Sequence, residues 1–445
     1  MTATLMWSGR VPAQTASPAA PAPLSASWPP SGLDSLVALA LAANPATKAA
    51  MARVHAAEAQ VGPAGARPDP TLMAGVQNYA LGEPAFADFM TMKMVGISQT
   101  FPYPGKLGLR TRAAKDEVEA AGARLEGARL AVVRQVEDAY YDLAFTERAM
   151  EIVRRNEGVL ANLITVAQAQ YTAGTAAQAD VLRARTEAAT LAAEAARLSE
   201  AHRAALARLN AVLDRPSETP VEGAAFPPRI ARAAVADSAR EIHFRSAALG
   251  ARVAASPLLP LDSLQTLASA HSPMLRSHEA EIRAQAARAA LARKASRPDV
   301  DVALQYGQRQ GAGDMVSAVV SIPIPLERGR KQDEVAAAAG AELAAREAEH
   351  RDAVNTLRAE IAERVSDVER ARTQLALTTS AILPQARATL ASATAGYQVA
   401  RVPFATVIEA QASVFTIETA YYQALTDFAK GVADLEEMVG TEVLR

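Results

Sequence analysis

The stretch "DVDVALQYGQRQGAGDMVSAVVSIPIP", residues 299–325, alternates in a way that most of the chain does not. Val300, Val302, Leu304 and Tyr306 are separated by Asp301, Ala303 and Gln305. Successive side chains of a strand point to opposite faces, so this spacing predicts a strand with one apolar and one polar face. The segment "GAGD" at 311–314 is turn chemistry, and Val316, Ala318, Val320 and Ile322 resume the alternation. The stretch therefore reads as a β-hairpin with strands at about 299–309 and 314–324. A less regular pair, "PTLMAGVQNYAL" (70–81) and "MTMKMVGISQTF" (90–101), flanks a Gly- and Pro-containing loop in the first half.

The two hairpins belong to a duplication. "LDSLVALALAANP" (33–45) and "LDSLQTLASAHSP" (261–273) agree at eight of thirteen positions. Each is followed by an Ala/Arg/Glu helix, 46–66 or 274–296, that closes on "RPD", at 67–69 or 297–299. Each hairpin ends in proline, and a Gly- and Lys/Arg-containing segment, "PYPGKLGLR" or "PLERGRKQ", returns the chain to helix. The repeat unit is helix, hairpin, long helix, break, helix.

Nothing decisive interrupts the helical pattern from about Leu107 to Ala173, which at 1.5 Å per residue is on the order of 100 Å. The second copy runs from about Gln332 to Ala400, with Pro384 as its one strong kink signal. Gly158 falls at the matching place in the first copy, which predicts a shared bend. The ascending helices stop at "YTAGTAAQADVLRARTE" (171–187) and "YQVARVPFATVIEAQAS" (397–413), where Gly174 and Pro403 end one helix and a descending one begins. Each half thus carries a long antiparallel helical hairpin with a tight tip.

Composition fits this. Of 445 residues 50% are apolar but only 4% aromatic, which suits long helices whose small side chains let backbones approach. A formal charge of -2 provides no global basic field to recruit nucleic acid. The absence of cysteine excludes disulfides, thiolate chemistry and cysteine metal sites. Residues 1–32, rich in Pro, Ala and Ser, read as the remnant of a secretory signal or a disordered tail. A lone two-stranded hairpin cannot close on itself, and four strands still leave open edges that a membrane forbids. Strands about ten residues long with one aliphatic face suit an outer-membrane barrel, so several chains must contribute to one barrel.

No catalytic constellation is present: there is no Walker loop, nucleophile elbow or "HExxH" motif, and the histidines are scattered. His271 and His278 read as surface or interface residues, and the charges along the helices as solvated faces and i,i+4 partners. Met90, Met92 and Met94 alternate with Thr91 and Lys93, which invites comparison with soft-metal ligands, although packing is the commoner cause. No cofactor or metal is called for.

In order, in duplicate and at matched spacing, the "LDSL" helices, the strand ends "SQTFPYPGKLGLR" and "SIPIPLERGRK", and the tips "YTAGTAAQADVLRA" and "YQVARVPFATVIEA" resemble the TolC-like outer-membrane efflux proteins. The resemblance implies a mainly α chain with membrane β. Its long helices form a coiled-coil barrel, and four strands per protomer enter a homotrimeric twelve-strand outer-membrane barrel. It implies repeats at 33–213 and 261–445, with 214–260 a linker in the belt around the tunnel. It also implies a passive, non-enzymatic exit duct in the outer membrane with a long periplasmic portion, partnered by a periplasmic adaptor, an inner-membrane pump and lipid. The cargo would be metal ions of a resistance-nodulation-division system, organic toxins or, in a type I system, protein. Gly174, Thr175, Val402 and Pro403 fall at the adaptor-docking tips, and Asp180, Arg183, Thr406 and Glu409 at the periplasmic mouth. A periplasmic coiled-coil adaptor or scaffold is the alternative, but such a chain normally carries one helical hairpin and no amphipathic strand pairs.

Overall fold

The computed structural model describes residues 32–79, 90–221, 223–235, 239–241, 252–254, 258–309, 312–399 and 401–444. The N-terminal signal or tail segment and most of the loop between the first two strands lie outside the described residues. So does most of the segment 236–257 within the expected belt.

The chain begins with α1 (Leu33–Ala43) and α2 (Pro45–Gly65). Asn44 separates them: its side-chain oxygen accepts from Ala46 N at 2.8 Å, and its amide donates to Val212 O at 2.8 Å. Proline at the first position of α2 costs nothing, because that N–H would have no helical partner. After β1 (Thr71–Gln77) and β2 (Met92–Phe101) comes α3 (Lys106–Thr172), an uninterrupted 67-residue helix on the order of 100 Å long. The descending helix α4 (Gln178–Val212) follows. The connecting region supplies α5 (Pro228–Val235), β3 (Ala239–Glu241) and β4 (Arg252–Ala254). The second repeat then runs α6 (Leu261–His271), α7 (Pro273–Arg293), β5 (Val300–Arg309), β6 (Met315–Ser321), α8 (Gln332–Leu377), α9 (Leu383–Gln398) and α10 (Phe404–Val439).

All four long strands form one antiparallel sheet in the order β1-β2-β5-β6. The strands are shorter than the sequence pattern suggests, for local reasons. Asn78, at φ 55°, turns the chain out of β1, and the prolines at 323 and 325 have no N–H with which to extend the β6 ladder. Register pairs Leu72 with Ile97, Ile97 with Leu304 and Leu304 with Ala318. The next row on the same face is Ala74, Val95, Tyr306 and Val316, and Gln99, Val302 and Val320 extend it the other way. Leu72, Val95, Ile97, Val302, Leu304, Val316 and Val320 are all exposed. The opposite face carries Ser98, Ala303, Gln305, Ser317 and three glycines, with methionines at one end. Met92 packs its sulfur against Gly307, where a Cβ would lie 2.7 Å away, so space at that glycine holds the thioether. Met90 precedes the strand, so the methionine triplet is not one strand face.

Helices pack in the same lateral order as the strands: α2 on α3, α3 on α7, and α7 on α8. One core joins α1, α3, α6, α8 and α10 through Leu36, Tyr141, Leu264, Ile361 and Phe428, and Ile230 of α5 closes over it. A second core lies toward the tips, around Leu163, Ala167, Val181, Tyr397, Phe404 and Val407.

Of the two places where a shared bend is predicted, only one shows a break in the helical ladder. A π-turn at Thr378–Ile382 separates α8 from α9 just before Pro384, whose missing N–H and ring crowd the preceding turn. Thr379 and Ser380 donate to the carbonyls of Leu375 and Ala376 at 2.8 and 2.6 Å, which satisfies acceptors of the widened turn. Helix α3 passes Gly158 without interruption, because glycine weakens a helix but retains its donor.

Candidate functional site

The first tip ends as a Schellman motif. Gly174 is left-handed at φ 72°, its N–H donates to Tyr171 O at 3.0 Å, and Thr175 N–H donates to Gln170 O at 2.9 Å. The Thr175 hydroxyl donates to the same carbonyl at 3.0 Å. Both residues are exposed, and a Cβ on Gly174 would meet nothing within 4 Å. Gly174 therefore stops the helix through its backbone.

The second tip closes differently. Arg401 N–H donates to Gly396 O at 2.8 Å, and Val402 folds back so that its methyl would lie 2.6 Å from a Cβ on Gly396. Val402 is consequently part of the tip's own packing, whereas Pro403 is exposed and precedes α10. Tyr397 is buried against Phe404, with ring centroids 4.9 Å apart. Burial, followed by the Asp180 carboxylate, holds its phenol above the ordinary range.

Asp180 and Arg183 occupy the first two turns of α4, and Thr406 and Glu409 the same places in α10. Val181 and Ala184, or Val407 and Ala410, point one residue further round and are buried in the tip core. The four polar positions therefore lie along its margin; Arg183, Thr406 and Glu409 are exposed and Asp180 is half-buried. Among the described residues no ion pair joins Asp180 to Arg183, and none engages Glu409. The structure thus places each pair in the first turns of a descending helix, beside the tip of its hairpin, without linking its members.

Sequence reasoning missed three apolar groups beside the tips. Tyr171, Leu182 and Val399 are 46%, 55% and 62% exposed. The duplication held a signal for Tyr171, which matches the buried Tyr397, but only packing distinguishes the two. Further along, Asn156 and Gln411 form a buried hydrogen bond between α3 and α10, beside a groove of about 390 Å³ lined also by Leu160, Leu191 and Phe415. Next to the π-turn, the buried Glu418 accepts from Arg387 of α9 at 2.6 Å and pairs with Arg155 of α3 at 3.2 Å. Nearer the middle of α3, Arg134 pairs with Asp138, Asp434 and Glu437, while Arg229 of α5 pairs with Glu137 and Glu436.

No helix among the described residues is long and apolar enough to cross a membrane, and no group of three or more His, Cys, Asp or Glu side chains could hold a metal ion. Among the described residues the chain exposes a strip of sheet with one apolar face and two open edges, joined to α3, a helix about 100 Å long. The chain belongs to the outer membrane efflux protein family, whose sequence profile matches residues 36–214 and 264–441. It is a TolC-like protein of the cell outer membrane with a long periplasmic helical portion.

Among curated sequences no relative is similar enough to add to that assignment. Solved structures share the fold at low identity. The outer-membrane channel OprN superposes with a TM-score of 0.75 at 20% identity, over 93% of this chain and 90% of that one. CusC gives 0.75 at 15%, over 92% of each. VceC from Vibrio cholerae gives 0.73 at 19%, over 92% of this chain and 96% of that one.

Proposed function

We propose that this chain is the exit duct of a tripartite efflux system, in which three copies close one barrel of twelve strands and pass cargo delivered by an inner-membrane pump through a periplasmic adaptor. The observation that carries this reading is the sheet: its apolar face is exposed along all four strands, and the outer edges of β1 and β6 meet no further strand among the described residues. A hydrocarbon environment tolerates no open sheet edge, so the strip requires further copies to close it. A soluble adaptor or scaffold would gain nothing from such a face.

The tips are the adaptor contact and the first turns of α4 and α10 the periplasmic mouth. Thr175 and Pro403 remain the outward-facing tip positions, joined by Leu182 and Val399, whereas Val402 acts from behind. Cargo is selected by the pump. The "PYPGK" strand ending resembles that of members serving metal-exporting pumps, so metal ions are preferred to organic toxins or protein as the cargo.

The test is photocrosslinking in intact cells. A benzophenone amino acid at Thr175 or Val399 should capture the adaptor, and the same probe at Leu72 should not. Sequencing the captured chain identifies the pump system and hence the cargo class. If the tip probes yield only crosslinks between copies of this protein, the docking role is wrong.

A further inference from the structure

Each chain contains one seam between its two repeats, directly below the sheet. At this seam the buried Lys106 of "PYPGK" donates at 2.7 Å to Asp299 Oδ1 and at 2.7 Å to Arg297 O, both in the "RPD" segment of the second repeat. The same carboxylate accepts from Tyr103 N at 2.7 Å. The contact arises because β2, which ends at the first segment, is the sheet neighbour of β5, which begins at the second.

The duplication supplies another copy of each half of this seam. Asp69 stands in the first "RPD" and Arg330 follows Gly329 in "PLERGR", as Lys106 follows Gly105 in "PYPGK", with one extra residue in the second loop. These halves lie at opposite edges of the chain, Asp69 just before β1 and Arg330 just after β6. Asp69 and Arg330 are exposed and have no side-chain partner among the described residues. Arg328 is engaged, pairing with Asp333 at 3.2 Å. Leu326, the counterpart of Tyr103, is 91% exposed, and Ile324 is 78% exposed. The lateral orders β1-β2-β5-β6 and α2-α3-α7-α8 end on the same two sides, so a second copy would set β1 and α2 beside β6 and α8.

We propose that the seam between neighbouring protomers repeats the internal seam, with Arg330 of one copy donating to Asp69 of the next and Leu326 covered by that neighbour. This rests on the oligomeric duct proposed above. The seam between copies is the weaker of the two. Internally, Lys294 donates to Pro104 O at 3.1 Å, and Thr100 donates to Asp301 at 2.5 Å. The positions matching Lys294 and Thr100 are Ala64 and Pro323, which have no side-chain donor for either contact. The collar under the barrel therefore separates first between protomers.

Charge exchange tests the pairing. Asp69→Arg should lower the fraction of oligomer surviving mild SDS by about tenfold, the scale of one charge-assisted hydrogen bond, and Asp69→Arg with Arg330→Asp should restore it. Restoration by Lys331→Asp in place of Arg330→Asp would overturn the assignment. The cysteine-free parent permits a second readout: Asp69→Cys with Arg330→Cys, treated with a short bifunctional methanethiosulfonate, should give linked oligomers. Lys106→Cys with Asp299→Cys should give only an internally linked chain. Native mass spectrometry in detergent distinguishes the levels of failure. A parent found only as monomer sinks the duct, whereas an intact oligomer with neither rescue nor linkage sinks the seam alone.

Discussion

Leu304→Arg probes which face of the sheet meets lipid. Leu304 is the fifth residue of the ten-residue strand β5, and its cross-strand neighbours Ile97 and Ala318 are apolar. The apolar rows run from the Phe101–Val300 pair to Tyr306, about 20 Å along the strand at ~3.3 Å per residue, or roughly 15 Å along the membrane normal at a tilt of ~40°. Tyr103 below and Tyr79 above are exposed aromatic groups suited to the two interfaces, so Leu304 lies near the midplane. Arginine there costs about 2–4 kcal/mol. Losing the 54% exposed leucine to lipid adds about 1 kcal/mol, roughly half of its full burial value. The adjacent Ala303, paired with Ser98 and Val319 on the opposite face, should accept arginine for less than about 1 kcal/mol. Equilibrium folding into lipid vesicles across a urea gradient, read by far-UV circular dichroism and gel mobility, measures both variants. Equal losses would refute the assigned faces, and a larger loss at Ala303 would invert them.

Two further outcomes follow from charge. Burial and the Glu436 carboxylate raise Glu137 from 4.5 to about 7, against the pull of Arg229 at 3.2 Å. Between those values the folded chain binds more protons than the unfolded one, so stability falls as pH rises from about 4.5 to 7, by on the order of 3 kcal/mol. Glu137→Gln should flatten that part of the profile in denaturant titrations at stepped pH, and parallel profiles would exclude Glu137 as its source. On the proposed homotrimer, Glu409→Gln should reduce cation selectivity in planar bilayers, because three copies would gather the exposed Glu409 side chains into one carboxylate ring at the proposed mouth. A reversal potential equal to that of the parent would place the filter elsewhere.

Periodicity made the elements legible, and duplication made the architecture legible. The strand phase in 299–306 announced the face on which Val302 and Leu304 now stand, and the repeated "LDSL" and "RPD" segments announced two matching units. Local chemistry also announced where helices end, as at Gly174. Packing beyond the local segment was not legible. Val402 and Thr175 look alike as tip residues until Gly396 provides a notch for one of them. Tyr171 and Tyr397 hold equivalent places in their repeats, yet only Tyr397 finds an aromatic partner, Phe404. Glu418 is one acid among many on α10, and nothing near it in sequence reveals that Arg155 and Arg387 converge on it.

These departures from internal symmetry have a common physical direction. The first helical hairpin ascends on an unbroken α3, whereas the second ascends on α8 and α9 with a π-turn between them. A sharp change of direction in a long helix needs a local cause such as a proline or a widened turn, and only the second ladder carries both at one place. Glu418 holds α9 just past that joint through Arg387 and ties it to the unbroken helix through Arg155. Both cations are largely exposed while the carboxylate is buried, so losing one arginine leaves the other to compensate it, but losing both leaves a buried charge unpaired. The second hairpin also carries Glu409, one residue register from the buried Ala410 and nine residues before Glu418 on the same α10. Glu409 and Glu418 therefore ride on one uninterrupted helix, which packs against the broken ladder of the second hairpin rather than sharing its break.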